Sequence, residues 1–158
     1  MVNQDSFQTK WTPRILSVLR IVSALLMTQH GAQKLFGVLA TRPGPTPALL
    51  SMSGIAGVLE FFGGLLLLIG LFTRPVAFIL SGLLAVAYFM AHAPQGFWPI
   101  INKGELAALY SFVFLYLAVA GGGEWSLDRL WQRRNTAHRS GDASGLGERE
   151  AWGASPQQ

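Results

Sequence analysis

The chain has 158 residues, room for one domain, and 51% of them are hydrophobic while only 13% are charged. That charged fraction is about half that of an ordinary soluble domain, and a core this small cannot absorb the apolar surplus, which must face lipid. The net charge of +4 lies outside the apolar stretches and so marks membrane topology rather than nucleic-acid binding, and the lack of cysteine excludes disulfides, thiol catalysis, Fe–S clusters and covalent haem attachment.

The composition and its patterning predict an all-α fold: a four-transmembrane-helix bundle, then a short interfacial helix and a disordered C-terminal tail. A span needs about 20 mostly apolar residues. After a cytoplasmic segment over 1–12, the first span is expected at about 13–37, interrupted by Arg20, His30 and Lys34. Arg20 lies inside the apolar run and no small-residue cleavage site follows, so this helix is expected to stay rather than leave as a signal peptide. Three prolines and a glycine over 41–47 force a non-helical loop. The second span is expected at about 49–71, with Glu60 as its one charge, and the third at about 75–92, with a tight turn at Thr73-Arg74-Pro75 making the two an antiparallel hairpin. The fourth is expected at about 104–121, stopped by Gly121-Gly122-Gly123. Ser126 is placed to cap an interfacial segment over 124–134, with Leu127, Leu130 and Trp131 on one face and Arg129, Arg133 and Arg134 on the other. From Asn135 to Gln158 the composition is polar and aperiodic, which predicts disorder. Lys10, Arg14, Arg74, Arg129, Arg133 and Arg134 flank one side of this arrangement, against Arg42 and Lys103 on the other, so both termini are expected in the cytoplasm.

An ionisable residue inside a span costs roughly 2.5–3.5 kcal/mol at the helix centre, so each needs a reason. Glu60 shares a helical face with Gly57 and Gly64, small residues that let a neighbouring helix approach, and is expected to point into the bundle. His30, Gln33 and Lys34 have the i, i+3, i+4 spacing of one helical surface, and His92 and Glu105 fall on the same, outer side. His30, Gln33, Lys34, Glu60, His92 and Glu105 together form the candidate site. Plainer roles compete with it. Glu60 and a basic partner could simply fix helix register, and Asn102 with Glu105 could form a capping box. His92 could be only interfacial, and Arg20 and Lys34 could snorkel to headgroups at opposite ends. Trp11, Trp98 and Trp125 suit the interfacial aromatic belts. No metal site is expected, since neither histidine has a local second ligand.

Three stretches, His30-Gly31-Ala32-Gln33-Lys34-Leu35-Phe36-Gly37, Glu60-Phe61-Phe62-Gly63-Gly64 with Gly70-Leu71-Phe72-Thr73-Arg74, and Gly121-Gly122-Gly123-Glu124-Trp125-Ser126-Leu127-Asp128, resemble the DoxX family of small bacterial membrane proteins. They occur in the family's order and cover about Leu16 to Asp128; the tail beyond has no counterpart. The resemblance implies four transmembrane helices in a bacterial plasma membrane, and relatives that include the membrane subunit of a thiosulfate:quinone oxidoreductase. Carried over by position, His30, Gln33, Lys34 and Glu60 match the family's polar motif residues, and His92 and Glu105 match later outer-side positions less tightly.

Three functions follow as expectations. The first is a quinone-linked membrane component of a redox system, with Glu60 and His30 as the reacting groups and the six site residues around the quinone. A quinone needs an apolar slot, a donor at each carbonyl, and two protons on reduction. With no haem, flavin or Fe–S motif, electrons would arrive from a soluble redox partner. The second is a non-catalytic anchor for a soluble redox or stress protein, docked on 125–134, or an assembly of copies of this chain. The third, a small proton-coupled transporter, is disfavoured by the lack of inverted repeats.

Overall fold

The computed structural model of the chain describes residues 4–39 and 45–136, and every regular element among them is helical. Helix α1 covers Gln4–Phe36, α2 Met52–Ile69 and α3 Thr73–Ala87. A π-helical turn, Tyr88–His92, and a 3-10 turn, Ala93–Gln95, prolong α3 without a break. The short α4, Pro99–Asn102, leads to α5, Glu105–Ala120, and a last helix, α6, occupies 127–136.

Helix α1 begins ahead of Pro13. Helix α1 runs for 33 residues, about 50 Å, against an apolar bilayer core of about 30 Å, with Pro13 in its interior. A proline there removes one helix hydrogen bond. Its own carbonyl is well used, accepting from Ser17 Oγ at 2.9 Å and from the Glu124 amide at 3.0 Å. Residues 4–12 are therefore the start of α1 rather than a separate segment.

At α2 the ends are set by local chemistry. Ser51 is extended and its hydroxyl accepts from the Gly54 amide at 3.1 Å, while Gly70 closes the helix in the left-handed region at φ 72°. The turn falls on Gly70 to Phe72, earlier than expected, and α3 already starts at Thr73. Pro75 lies in its first turn, where an amide hydrogen has no helical partner to lose. Helix α5 stops at Ala120 with Gly121 at φ 87°, as the glycine run requires. Ser126 accepts from the Arg129 amide at 3.3 Å and caps α6. That helix continues through Asn135 and Thr136, where disorder was expected to begin. The expected tail over 137–158 and the loop residues 41–44 lie outside the described residues; 45–48 are non-helical, as the prolines demand.

Packing is organised in two pairs, α1 along α2 and α3 along α5, joined through α2 and α3. Ala24, Met27, Leu67, Ala77, Leu80, Leu84, Phe114 and Leu117 form the buried core. The outer faces are apolar as well: Phe78, Phe112 and Val119 are 66%, 70% and 73% exposed. An outer surface of this kind is stable against acyl chains, not water. The stretches Gln8–Phe36, Met52–Ile69 and Thr73–Gln95 are long and apolar enough to cross a membrane, while α5 is apolar but has 16 residues, about 24 Å.

The segment after α5 fastens one end of this bundle. Arg20 is fully buried, and its guanidinium donates to the carbonyls of Leu67, Leu68 (2.7 Å), Gly122 (2.8 Å) and Trp125 (2.7 Å). It therefore does not reach for headgroup phosphate. It closes the C-terminal carbonyls of α2, which have no partner within the helix, onto the chain leaving α5. The Asp128 carboxylate does the same for α3, accepting from the Phe72 and Thr73 amides at 2.8 Å each. Trp125 N–H donates to Ser17 Oγ at 3.0 Å, and Arg14 pairs with Glu124 at 3.1 Å.

Candidate functional site

About 15 Å from that knot, ten residues before Gly70 along α2, Glu60 is buried at 2% exposure in the middle of the helix. Its Oε1 accepts from Lys34 Nζ at 2.5 Å. The direction of the two side chains explains the meeting. Side chains on a helix tilt toward its N-terminus, and α1 and α2 are antiparallel, so Lys34 leans back into the membrane while Glu60 leans toward it. Lys34 thus turns inward to Glu60 rather than snorkelling outward.

Small residues make the approach close enough. A Cβ at Gly57 would lie 2.9 Å from the Lys34 Cβ, and one at Gly64 would lie 2.9 Å from the Thr28 amide nitrogen. On α1 the matching residue is Gly31, whose added Cβ would lie 2.6 Å from the Phe61 Cα. The face containing Glu60, Gly57 and Gly64 therefore packs as its spacing predicts, against Ala24, Thr28, Lys34 and Leu35, while Gly31 meets the Phe61 backbone.

The pair is unequal. Glu60 keeps 3% of its side-chain surface and Lys34 33%, and Glu60 Oε2 is buried with no hydrogen-bond partner among the described residues. A buried acceptor without a partner is expensive. His30 and Gln33, one turn and one residue before Lys34, are exposed on α1. Because Gly31 sits against Phe61, His30 is level with Glu60 rather than near the outer end of its span. A histidine and an amide on an apolar helix surface are costly in lipid. Phe36 and Phe61, in edge contact at 5.3 Å between centroids, add an apolar wall beside them.

The other two expected site residues are engaged differently. His92 ends the π-helical turn, stacks on Tyr88 and contacts the Asn102 carbonyl through Nδ1 at 3.0 Å, which makes Nδ1 the protonated nitrogen. Glu105 is exposed as the first residue of α5, whose N-cap is Gly104, so Asn102 and Glu105 do not form a capping box. Asn102 instead donates to the Gly96 carbonyl at 2.7 Å and accepts from Gly104 N–H at 2.8 Å, holding the loop between α3 and α5. Among the described residues, no hydrogen bond, ion pair or ring contact links His92 or Glu105 to Lys34 or Glu60.

The DoxX family model matches residues 15–93, half of the chain. A protein of Haemophilus influenzae is 46% identical over 129 residues, covering 79% of this chain and 96% of its own. The chain belongs to the DoxX family. An uncharacterized membrane protein of Mycobacterium tuberculosis is 29% identical, over 79% of this chain and 86% of its own, and inner membrane protein YqjF of Escherichia coli is 29% identical, over 74% and 92%. No solved structure matches. With its apolar exterior, this DoxX chain is a membrane protein in contact with the bilayer. The matched DoxX region holds Arg20, His30, Gln33, Lys34 and Glu60 and ends after His92, before Asn102 and Glu105.

Proposed function

We propose that this DoxX protein is a quinone-linked membrane component of a redox system, held in a bacterial plasma membrane by four spans with both termini in the cytoplasm. The orientation follows from Arg14, Arg74 and Arg129, which collect at the Arg20 end of the bundle, while Lys103 lies between α4 and α5. Helix α5 completes the fourth span with its flanking glycines, since about 24 Å falls short of the apolar core by only about 6 Å.

The observation that carries the redox reading is the Lys34–Glu60 pair with Glu60 Oε2 left unpartnered beside exposed His30 and Gln33. A quinone headgroup reaching this face from the bilayer would meet His30 and Gln33 as donors to its carbonyls. Lys34, half-buried, bridges that surface to the carboxylate behind it. Reduction of the quinone takes two electrons and two protons to give the quinol. The two protons would come from water by way of Lys34 and Glu60, and the two electrons from the reduced cofactor of a soluble partner protein, which would itself be oxidised. His92 and Glu105 have no part in this step.

The test is to purify the full chain in mild detergent and identify co-purifying quinone and protein by mass spectrometry. Glu60→Gln and His30→Ala are each expected to lower quinone retention about tenfold with the bundle still folded. Full retention in both variants overturns the reading. A stoichiometric soluble protein without quinone would instead support an anchor.

A further inference from the structure

At the Arg20 end a cleft of about 800 Å³ opens between the start of α3, the end of α5 and α6. Its walls include Arg74 and Arg129, and Arg74 extends over the backbone of Gly121, with Nε 3.4 Å from where a Cβ would stand. Among the described residues the guanidinium of neither arginine has a hydrogen-bond or ion-pair partner, while the side chains of Arg14 and Lys34 do. The one carboxylate in the lining, Asp128, is already committed: both oxygens take amide hydrogens of α3 and its charge is attracted by Arg20 behind it. Two guanidinium groups therefore face the cleft without a counter-charge, and Gln132 adds a neutral donor at its edge.

Besides Thr12, Thr73, Ser126 and Asn135, the lining has an apolar part that runs toward the membrane. Tyr116 lines the cleft and shares a face of α5 with Phe112 and Val119, which are 70% and 73% exposed. On the other side Trp131 lines the cleft, and both it and Leu130 expose more than half of their surface. A charged recess whose apolar walls run onto a lipid-facing helix fits an anion with acyl chains better than a free one.

We propose that this cleft binds the phosphate-bearing headgroup of an anionic phospholipid, with Arg74 and Arg129 on the phosphate and the acyl chains along the Phe112, Tyr116 and Val119 face. Guanidinium groups suit the task because their planar fork matches phosphate oxygens. The site is independent of the quinone reading, since it shares no residue with the Lys34–Glu60 face.

The test uses the full chain in detergent, stripped of lipid, with phosphatidylglycerol, phosphatidylcholine and inorganic phosphate as probes and native mass spectrometry as the readout. Phosphatidylglycerol should bind at least about tenfold tighter than phosphatidylcholine. The R74Q/R129Q variant should lose about tenfold of that affinity, while R133Q/R134Q, with the same charge change outside the cleft, should stay within about twofold. Should the first double variant not purify folded, R74Q and R129Q are measured singly, each expected to weaken binding about threefold. Equal binding of the two lipids, an unchanged cleft variant, or equal losses in the two double variants overturns the site. Competition by inorganic phosphate at the affinity of phosphatidylglycerol overturns the lipid assignment in favour of a soluble anion.

Discussion

Two buried ionisable groups of opposite sign sit in this bundle about 15 Å apart in depth, and their surroundings differ in kind. Arg20 is enclosed by carbonyls from α2 and from the segment after α5, with four of its N–H groups used and no surface left to solvent. Glu60 has one partner, a lysine that is itself one-third exposed, and one carboxylate oxygen with none. A group with four of its five N–H bonds made inside the fold and no exposed surface is held in place. Its chemistry is spent on joining helices. A group with a bond unmade, one side chain away from the membrane surface, retains the capacity to exchange a proton or a hydrogen bond. Cost at insertion is similar for both, so the difference lies in what each does afterward.

The sharpest way to break that contrast is Arg20→Met. The apolar replacement fits the space in part but leaves the Leu68, Gly122 and Trp125 carbonyls without their donor and Leu67 with the Gly70 amide alone, and the junction of α2, α3 and α5 loses its centre. A loss of about 3–5 kcal/mol is expected, read as a large drop in thermal unfolding temperature in detergent. Arg20→Lys should recover little, because one ammonium cannot span four carbonyls placed for a planar fork. A variant as stable as the parent would show that the knot is not the fastening described.

Removing either member of the other pair should give unequal results. Lys34→Met strands a carboxylate that keeps 3% of its surface, and a loss of about 2–3 kcal/mol is expected at neutral pH. Glu60→Gln strands a lysine that keeps 33%, and its long stem can carry the ammonium to the headgroups. That loss should stay near about 1 kcal/mol, typical of a polar link between helices in lipid. Equal losses would mean that Lys34 is held as firmly as Glu60, and the pair would then resemble the Arg20 knot.

How much of this was legible in the sequence depends on how far each partner lies along the chain. The Glu60 face was readable because Gly57 and Gly64 are one helical turn away on the same helix. Ala24, Thr28 and Gly31, at a spacing of four and three, are the same signal on α1, and they set the face of α1 that meets α2 apart from His30. The bonds of Arg20 are hidden in the sequence for a different reason. A buried guanidinium and a snorkelling one look alike in a helical pattern, and the deciding carbonyls of Gly122 and Trp125 are 102 and 105 residues away. The Asn102 carbonyl that holds His92 belongs to α4, a four-residue helix between two loops, too short to leave a periodic trace. The family stretch from Gly121 to Asp128 was recognisable as a motif, and only the fold shows that its work is structural: it supplies the acceptors for Arg20, the cap for α3 and the partner of Arg14.

The smallest effect is expected at the edge of the same knot, and it separates buried fastening from mere proximity of charge. Arg14 and Glu124 form the knot's one direct ion pair, at 3.1 Å, but their side chains keep 33% and 27% of their surface. Water and headgroups screen such a pair, and holding two long side chains in one geometry costs entropy, so its net worth is about 0.5 kcal/mol or less. Arg14 has a second contact, its guanidinium lying 5.6 Å over the Trp11 ring, which adds packing that Gln cannot copy. The backbone link from Glu124 N–H to the Pro13 carbonyl survives any side-chain change and keeps the segment in place. Arg14→Gln should therefore lower stability by about 0.5–1 kcal/mol, and Glu124→Gln by less, because it spares the Trp11 contact. A loss from Glu124→Gln rivalling that of Arg20→Met would place the strength of this end in its exposed charges, and the distinction between the knot and the Lys34–Glu60 pair would have to rest on burial of the pair alone.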